Sequence, residues 1–182
     1  MRPPDGGLGP GAKYPPAFLA GWNGTLVCDD YKGYEPVFKL GKRIEAGCLV
    51  HARRKFEELI KNGHASPVAE EAIRRMGWIF WIEKQARAAS PADRLAIRHD
   101  QTRGHWDKLH DWLRTARALV PDGSGIAAAI DYTLNRWVPL GRFLDDGNVS
   151  CHNNHLENLM RPVARHGFLP AENSRASARR RS

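Results

Sequence analysis

The chain has 182 residues and a mass of 20.4 kDa, a size that suits one domain, or one domain carrying an insertion. Its 42% apolar and 26% charged residues are enough to build a core and too mixed for a disordered chain. The longest nearly unbroken apolar run, Met76 to Ile82, falls well short of a membrane span. An h-region is missing from the Pro- and Gly-rich start, and the three cysteines are odd in number and widely spaced. A secreted disulfide scaffold and a membrane protein are thereby excluded, and a reducing compartment is expected.

The net charge of +8 is unevenly spread. Residues 39–61 carry seven basic and three acidic side chains, and residues 147–182 carry six and two. The long middle, 66–146, is close to neutral, with twelve basic and eleven acidic groups. Two basic blocks flanking a neutral body suit a polyanionic partner, with ordinary solubility charge as the alternative reading.

Residues 1–16 hold five Pro and four Gly and read as an unstructured leader. Thr25-Leu26-Val27-Cys28, followed by Asp29-Asp30, suits a buried strand with acids at its C-terminal end. Ile44 to Val50 is a second strand candidate, interrupted by Gly47. Ala52, Phe56, Leu59 and Ile60 then fall on one helical face, opposite Arg53, Arg54, Glu57, Glu58 and Lys61, and Gly63 ends that helix. Ser66-Pro67 and Ser90-Pro91 each place a capping hydroxyl before a proline at the first helical position. The helix through Trp78-Ile79-Phe80-Trp81-Ile82 is apolar nearly all round, which predicts cover on more than one side. Trp106, Leu109, Leu113 and Ala116 form the next stripe. Ile126, Ile130, Leu134 and Trp137 form a third, which Pro139 should kink or end. Five of the six tryptophans lie between 78 and 137, at spacings that read as core or helix–helix contact. A short strand at Val149-Ser150-Cys151 and a last helix from about Asn153 are predicted, with periodicity stopping beyond Ala164.

Asp29 stands where open α/β sheets place ligands, although an Asp there equally suits a turn. Glu157 shares a helix face with Asn154, Asn158 and Arg161. An i, i+4 pair with Arg161 is its plain reading, and a metal-holding carboxylate with Asn neighbours to orient it is the functional one. Mg²⁺ is typically held by one or two carboxylates, and two such ions can serve a phosphodiester displacement. Cys48, His51, Cys151, His152 and His155 offer a rival zinc set at spacings that match no compact motif. Arg53-Arg54-Lys55, beside His51, is presented by a helix and can meet a phosphate backbone. Arg179-Arg180-Arg181 belongs to the tail.

Together, Gly24–Tyr34, Glu45–Phe56, Leu134–Trp137, Arg142–Gly147 and Asn153–Asn158 closely resemble the transposases of the insertion sequence 66 family, over about Phe18 to Ala164. The resemblance implies an α/β fold: an incomplete ribonuclease H-like domain with a large all-helical insertion between the second and third catalytic acids. It implies a bacterial DDE transposase, using Mg²⁺ or Mn²⁺ to cut DNA at element ends and join it to a target. Asp29 matches the second acid and Glu157 the third, both as catalytic and metal-holding residues. His51, Arg53, Arg54, Lys55 and Arg161 would meet DNA, and Asp30, Asn153, Asn154 and Asn158 would support the acids.

The expected organisation is a leader over 1–17, ribonuclease H-like parts over 18–65 and 147–164, the insertion over 66–146, and a disordered basic tail over 165–182. No first acid is seen, the family's N-terminal DNA-binding parts are absent, and His152 stands where the family usually has Asp. The tail likewise departs from the family pattern. These departures suggest a truncated fragment of the catalytic domain, inactive alone, in the bacterial cytoplasm at the nucleoid. A non-catalytic DNA-binding or interaction remnant is the alternative. The partners expected are DNA, with a homo-oligomer or an intact transposase besides, and neither membrane nor small-molecule substrate.

Overall fold

In a computed structural model of the chain, the residues described are 19, 21–29, 34–39 and 42–153. Two strands, β1 (Gly24–Cys28) and β2 (Arg43–Gly47), pair in parallel, with Gly24 opposite Arg43 and Cys28 opposite Gly47. The connection between them includes a short helix, α1 (Glu35–Lys39). Arg43 fixes this corner: its guanidinium donates to the carbonyls of Leu19 and Trp22, both at 2.7 Å, and of Val37 at 3.1 Å.

The second strand is shorter than its apolar run suggested. It ends at Gly47, extended Cys48 serves as N-cap, and α2 (Leu49–Lys61) begins at once. Leu49, Ala52 and Phe56 are fully buried on α2's inner face. Their burial, worth about 1.5–3 kcal/mol for each large side chain, outweighs the strand preference of Leu49-Val50. Gly63, at φ 78°, closes the helix, with His64 N donating to Leu59 O.

The helices that follow are α3 (Pro67–Gln85), α4 (Pro91–Ile97), α5 (Arg103–Leu119), α6 (Gly125–Asn135) and α7 (Trp137–Gly141). Ser66, Ser90 and Ser124 cap α3, α4 and α6, each accepting at 3.2 Å from the amide three residues on. A π-helical turn (Arg98–Thr102) joins α4 to α5. Ala46, Leu49 and Phe56 share one core with Met76, Ile79, Trp106, Leu113, Ile130 and Phe143, so sheet and helices pack on each other.

Four expectations require correction. Trp78 and Trp81 are 46% and 54% exposed, so among the described residues α3 is covered on one side only, the side that carries Met76, Ile79 and Ile82. Of the tryptophans between 78 and 137, only Trp106 is fully enclosed; it stacks on Trp137 at 3.9 Å between ring centroids. The third helical stripe breaks at Arg136, ahead of Pro139, which falls in the first turn of α7, where a missing N–H costs little. Residues 149–151 are irregular, bent at Val149 and Cys151, rather than a strand. Among the described residues no helix is long and apolar enough to cross a membrane.

Candidate functional site

Two adjacent backbone amides join distant parts of the chain. Cys48 N donates to Cys28 O at 3.1 Å, and Leu49 N donates to Cys151 O at 2.8 Å. The first bond continues the β1–β2 pairing for one more step. The second occupies an amide at the start of α2 that has no partner inside the helix. Asp29 follows Cys28 directly, so its strand end and the segment entering residues 152–153 meet at the N-terminus of α2. Asp29, His51, His152 and Asn153 are all half-buried there.

The returning segment is held from the helical side. Arg98, 1% exposed, pairs one guanidinium edge with Glu83, Nε and Nη2 donating at 2.8 and 2.6 Å. Its Nη1 donates to Phe143 O at 2.6 Å and to Asp146 O at 2.9 Å. Arg94 donates to Gly147 O at 2.9 Å, and His99 Nε2 to Leu144 O at 3.1 Å. Four carbonyls of one loop are thereby satisfied by three side chains of α4 and the π-turn. Gly147 is required here, because a β-carbon would overlap the Pro91 carbonyl. Arg136 also pairs with Glu45 of β2, tying the helices to the sheet.

Neither arginine stood among the candidate residues, yet a signal existed for one. Leu95, Arg98, Thr102, Trp106, Leu109 and Leu113 are spaced three or four apart, which places Arg98 on the apolar stripe.

The basic run does not act as one patch. Successive helical residues differ by about 100°, and the three side chains diverge. Arg53 lies 5.8 Å from the Phe80 ring and 3.4 Å from Glu57. Lys55 Nζ sits 4.4 Å over Tyr132. Arg54, between them, is exposed and forms no ion pair among the described residues. Lys55 also borders a cleft of about 340 Å³ between α2 and α6, lined by Glu58, Leu59, Asn62, Gly125 and Tyr132. Asp30, Asn154, Glu157, Asn158 and Arg161 lie outside the described residues, as does His155.

The thiols of Cys28, Cys48 and Cys151 are buried and form no disulfide among the described residues. Burial first, and the Glu83 carboxylate second, push the Cys151 thiol well above its ordinary range, so it stays protonated and a poor metal ligand. Among the described residues no group of three or more His, Cys, Asp or Glu stands together to hold a metal, and the rival zinc set is not assembled there. The buried Oδ1 of Asn153 and Nδ1 of His152 have no hydrogen-bond partner among the described residues.

The sequence matches the family model described as "Transposase IS66 family" over residues 10–176. Among curated proteins it is similar to three from Sinorhizobium fredii (strain NBRC 101917 / NGR234). The uncharacterized protein y4hP is 37% identical over 167 residues, covering 84% of this chain and 30% of y4hP. The uncharacterized protein y4jD is 34% identical over 152 residues, covering 80% and 30%. The uncharacterized protein y4qI is 31% identical over 161 residues, covering 85% and 30%. The chain thus spans about a third of the length of these relatives, and no solved structure matches it. On the match across most of its length, the chain belongs to the IS66 family of transposases.

Proposed function

We propose that this chain is part of the ribonuclease H-like catalytic module of a DDE transposase, with Asp29 and Glu157 as two of its metal-holding acids. What supports the reading is the backbone pin at the start of α2. Neighbouring amides bind the carbonyls of Cys28 and Cys151, one residue before Asp29 and six before Glu157. The strand end before Asp29 thus meets the segment that leads toward Glu157 in sequence, which supports, for acids far apart in the chain, the shared ion of this reading.

The donor set fits Mg²⁺ or Mn²⁺ in kind. Carboxylate oxygens are hard ligands, and the unsatisfied Oδ1 of Asn153, four residues before Glu157, is a further oxygen. The neighbouring sulfurs are buried thiols that suit such ions poorly. When bound, a divalent ion supplies charge stabilisation to the attacking and leaving oxygens of a phosphodiester. The chain's own share is to hold the acids. The Arg98–Glu83 clamp fixes the loop that leads to residues 148–153, and the parallel strand pair fixes Asp29. Arg54, with His51 in the preceding turn, contributes phosphate contact that is independent of base sequence.

The test is a titration of the purified chain with Mn²⁺, read by electron paramagnetic resonance, beside a nicking assay on supercoiled plasmid. Asp29→Asn and Glu157→Gln should each weaken Mn²⁺ binding, and any metal-dependent nicking should vanish in both. DNA binding that is sensitive to salt and indifferent to Mn²⁺ and to both substitutions would replace this reading with a non-catalytic DNA-binding remnant.

A further inference from the structure

The exposed face of α3 carries features that the other described residues do not use. Trp78 and Trp81 stand outward with their rings edge-to-face at 6.0 Å. Trp78 is braced by His105 of α5, stacked at 6.0 Å and 16°, so the patch is preformed and rigid. Beside the rings lies Gly77, in the middle of a 19-residue helix. Glycine there costs about 1 kcal/mol relative to alanine. Among the described residues a β-carbon at Gly77 would meet nothing within 4 Å, so none of them accounts for the missing side chain.

Seven residues before Gly77 stands Glu70, and seven after it Lys84. Both are exposed, and neither forms an ion pair among the described residues. Seven residues fall about 20° short of two full turns, so Glu70, Gly77 and Lys84 form one stripe beside the tryptophans. Arg74, on the same side, pairs at 2.6 Å with Glu71, a carboxylate it shares with Arg75.

We propose that α3 is a self-association surface, pairing antiparallel with the α3 of a second copy about a two-fold axis at Gly77. Antiparallel pairing places residues that sum to the same number opposite each other. Glu70 then faces Lys84 of the second copy, twice, by symmetry. Gly77 faces its own counterpart, where the missing side chain lets the helix backbones approach closely, and Trp81 covers Ile73 of the second copy. An isologous interface of this kind must be self-complementary, and the stripe is. The charge balance of residues 66–146, twelve basic against eleven acidic, favours a second copy over a polyanion at this face. Tryptophan is also the residue most enriched at the centres of protein interfaces. The proposal needs neither metal nor DNA and goes beyond the transposase reading, so either can fail without the other.

The test is sedimentation equilibrium of the full chain over a concentration series. A dimer is expected. Glu70→Lys and Lys84→Glu should each raise its dissociation constant about tenfold or more by opposing like charges, and the double exchange should restore it. Trp81→Ala should weaken the dimer with an unchanged circular dichroism spectrum, since its ring is exposed. A chain that stays monomeric, or a dimer whose double exchange is no tighter than the single ones, overturns the proposal. A monomer whose tryptophan fluorescence is quenched by a single-stranded oligonucleotide also overturns it and assigns the face to nucleic acid.

Discussion

At position 98 an arginine occupies a stripe otherwise made of Leu95, Trp106, Leu109 and Leu113, and it is 1% exposed. A charge in that position survives because all three of its nitrogens are engaged: Nε and Nη2 donate to Glu83, and Nη1 donates to the carbonyls of Phe143 and Asp146. Removing one partner leaves the other charge buried and alone, which costs about 3–5 kcal/mol. Glu83→Leu and Arg98→Leu should therefore each lower stability by that order in urea denaturation. The double replacement should recover much of the loss. A single replacement that costs no more than an exposed pair would show that the ion pair is not the clamp. Cys151, 2% exposed nearby, gives a second expectation. Its thiol is raised mainly by burial, so the folded chain keeps the proton that the unfolded chain releases. The sign follows: this contribution to stability is full below the ordinary thiol pKa of about 8.5 and declines as pH rises past it. Iodoacetamide at mildly alkaline pH should modify Cys151 only as fast as the fold opens, and at the rate of a free thiol in denaturant. Rapid modification of the native protein would contradict the burial.

Among the elements, α2 shows most clearly what a sequence conceals. Arg53, Arg54 and Lys55 are contiguous in the chain but diverge around the helix, two against aromatic rings and one toward solvent. Arg54→Ala should thus weaken DNA binding across all sequences and lower the salt slope by about 1. Arg53→Ala should act chiefly on stability. Equal effects of the two on the slope would restore the single-patch view. The loop before Asn148 has its own expectation. Gly147→Ala forces a β-carbon into the Pro91 carbonyl and should cost about 1–3 kcal/mol, the range for overpacking, measured by thermal unfolding. What was legible at this scale was whatever local chemistry decides. The run Thr25–Cys28 gave β1, and the serine–proline pairs gave the starts of α3 and α4. What was not legible depended on partners remote in sequence. Leu49-Val50 read as a continuing strand because nothing local reveals that Cys151 O awaits the Leu49 amide. Trp78 and Trp81 read as buried because residue type alone does not say which side of a helix has neighbours. Asp29 could be singled out as the acid ending a strand, whereas the clamp at Arg98 required counting it among apolar positions.

For the whole molecule, the question is whether the helical block from α3 to α7 is a separate body inserted into the sheet layer. Three observations argue that the two fold together. The core runs without interruption from Ala46 and Leu49 through Met76 and Trp106 to Phe143 and Cys151. Arg136 pairs with Glu45 of β2 across the boundary. The loop that returns the chain to the sheet is gripped by Arg94 and Arg98 of the helical block. A two-stranded sheet is marginal alone, so β1 and β2 depend on the apolar surface that the helices supply. Unfolding should then be a single event, with far-ultraviolet circular dichroism and the fluorescence of enclosed Trp106 tracing coincident urea transitions. Glu45→Ala, which breaks the tie between layers, should shift both curves together. If instead the fluorescence transition stayed in place while an earlier loss of dichroism moved, the sheet layer would melt first. The helical block would then be an independent unit that does not hold the site's residues in place.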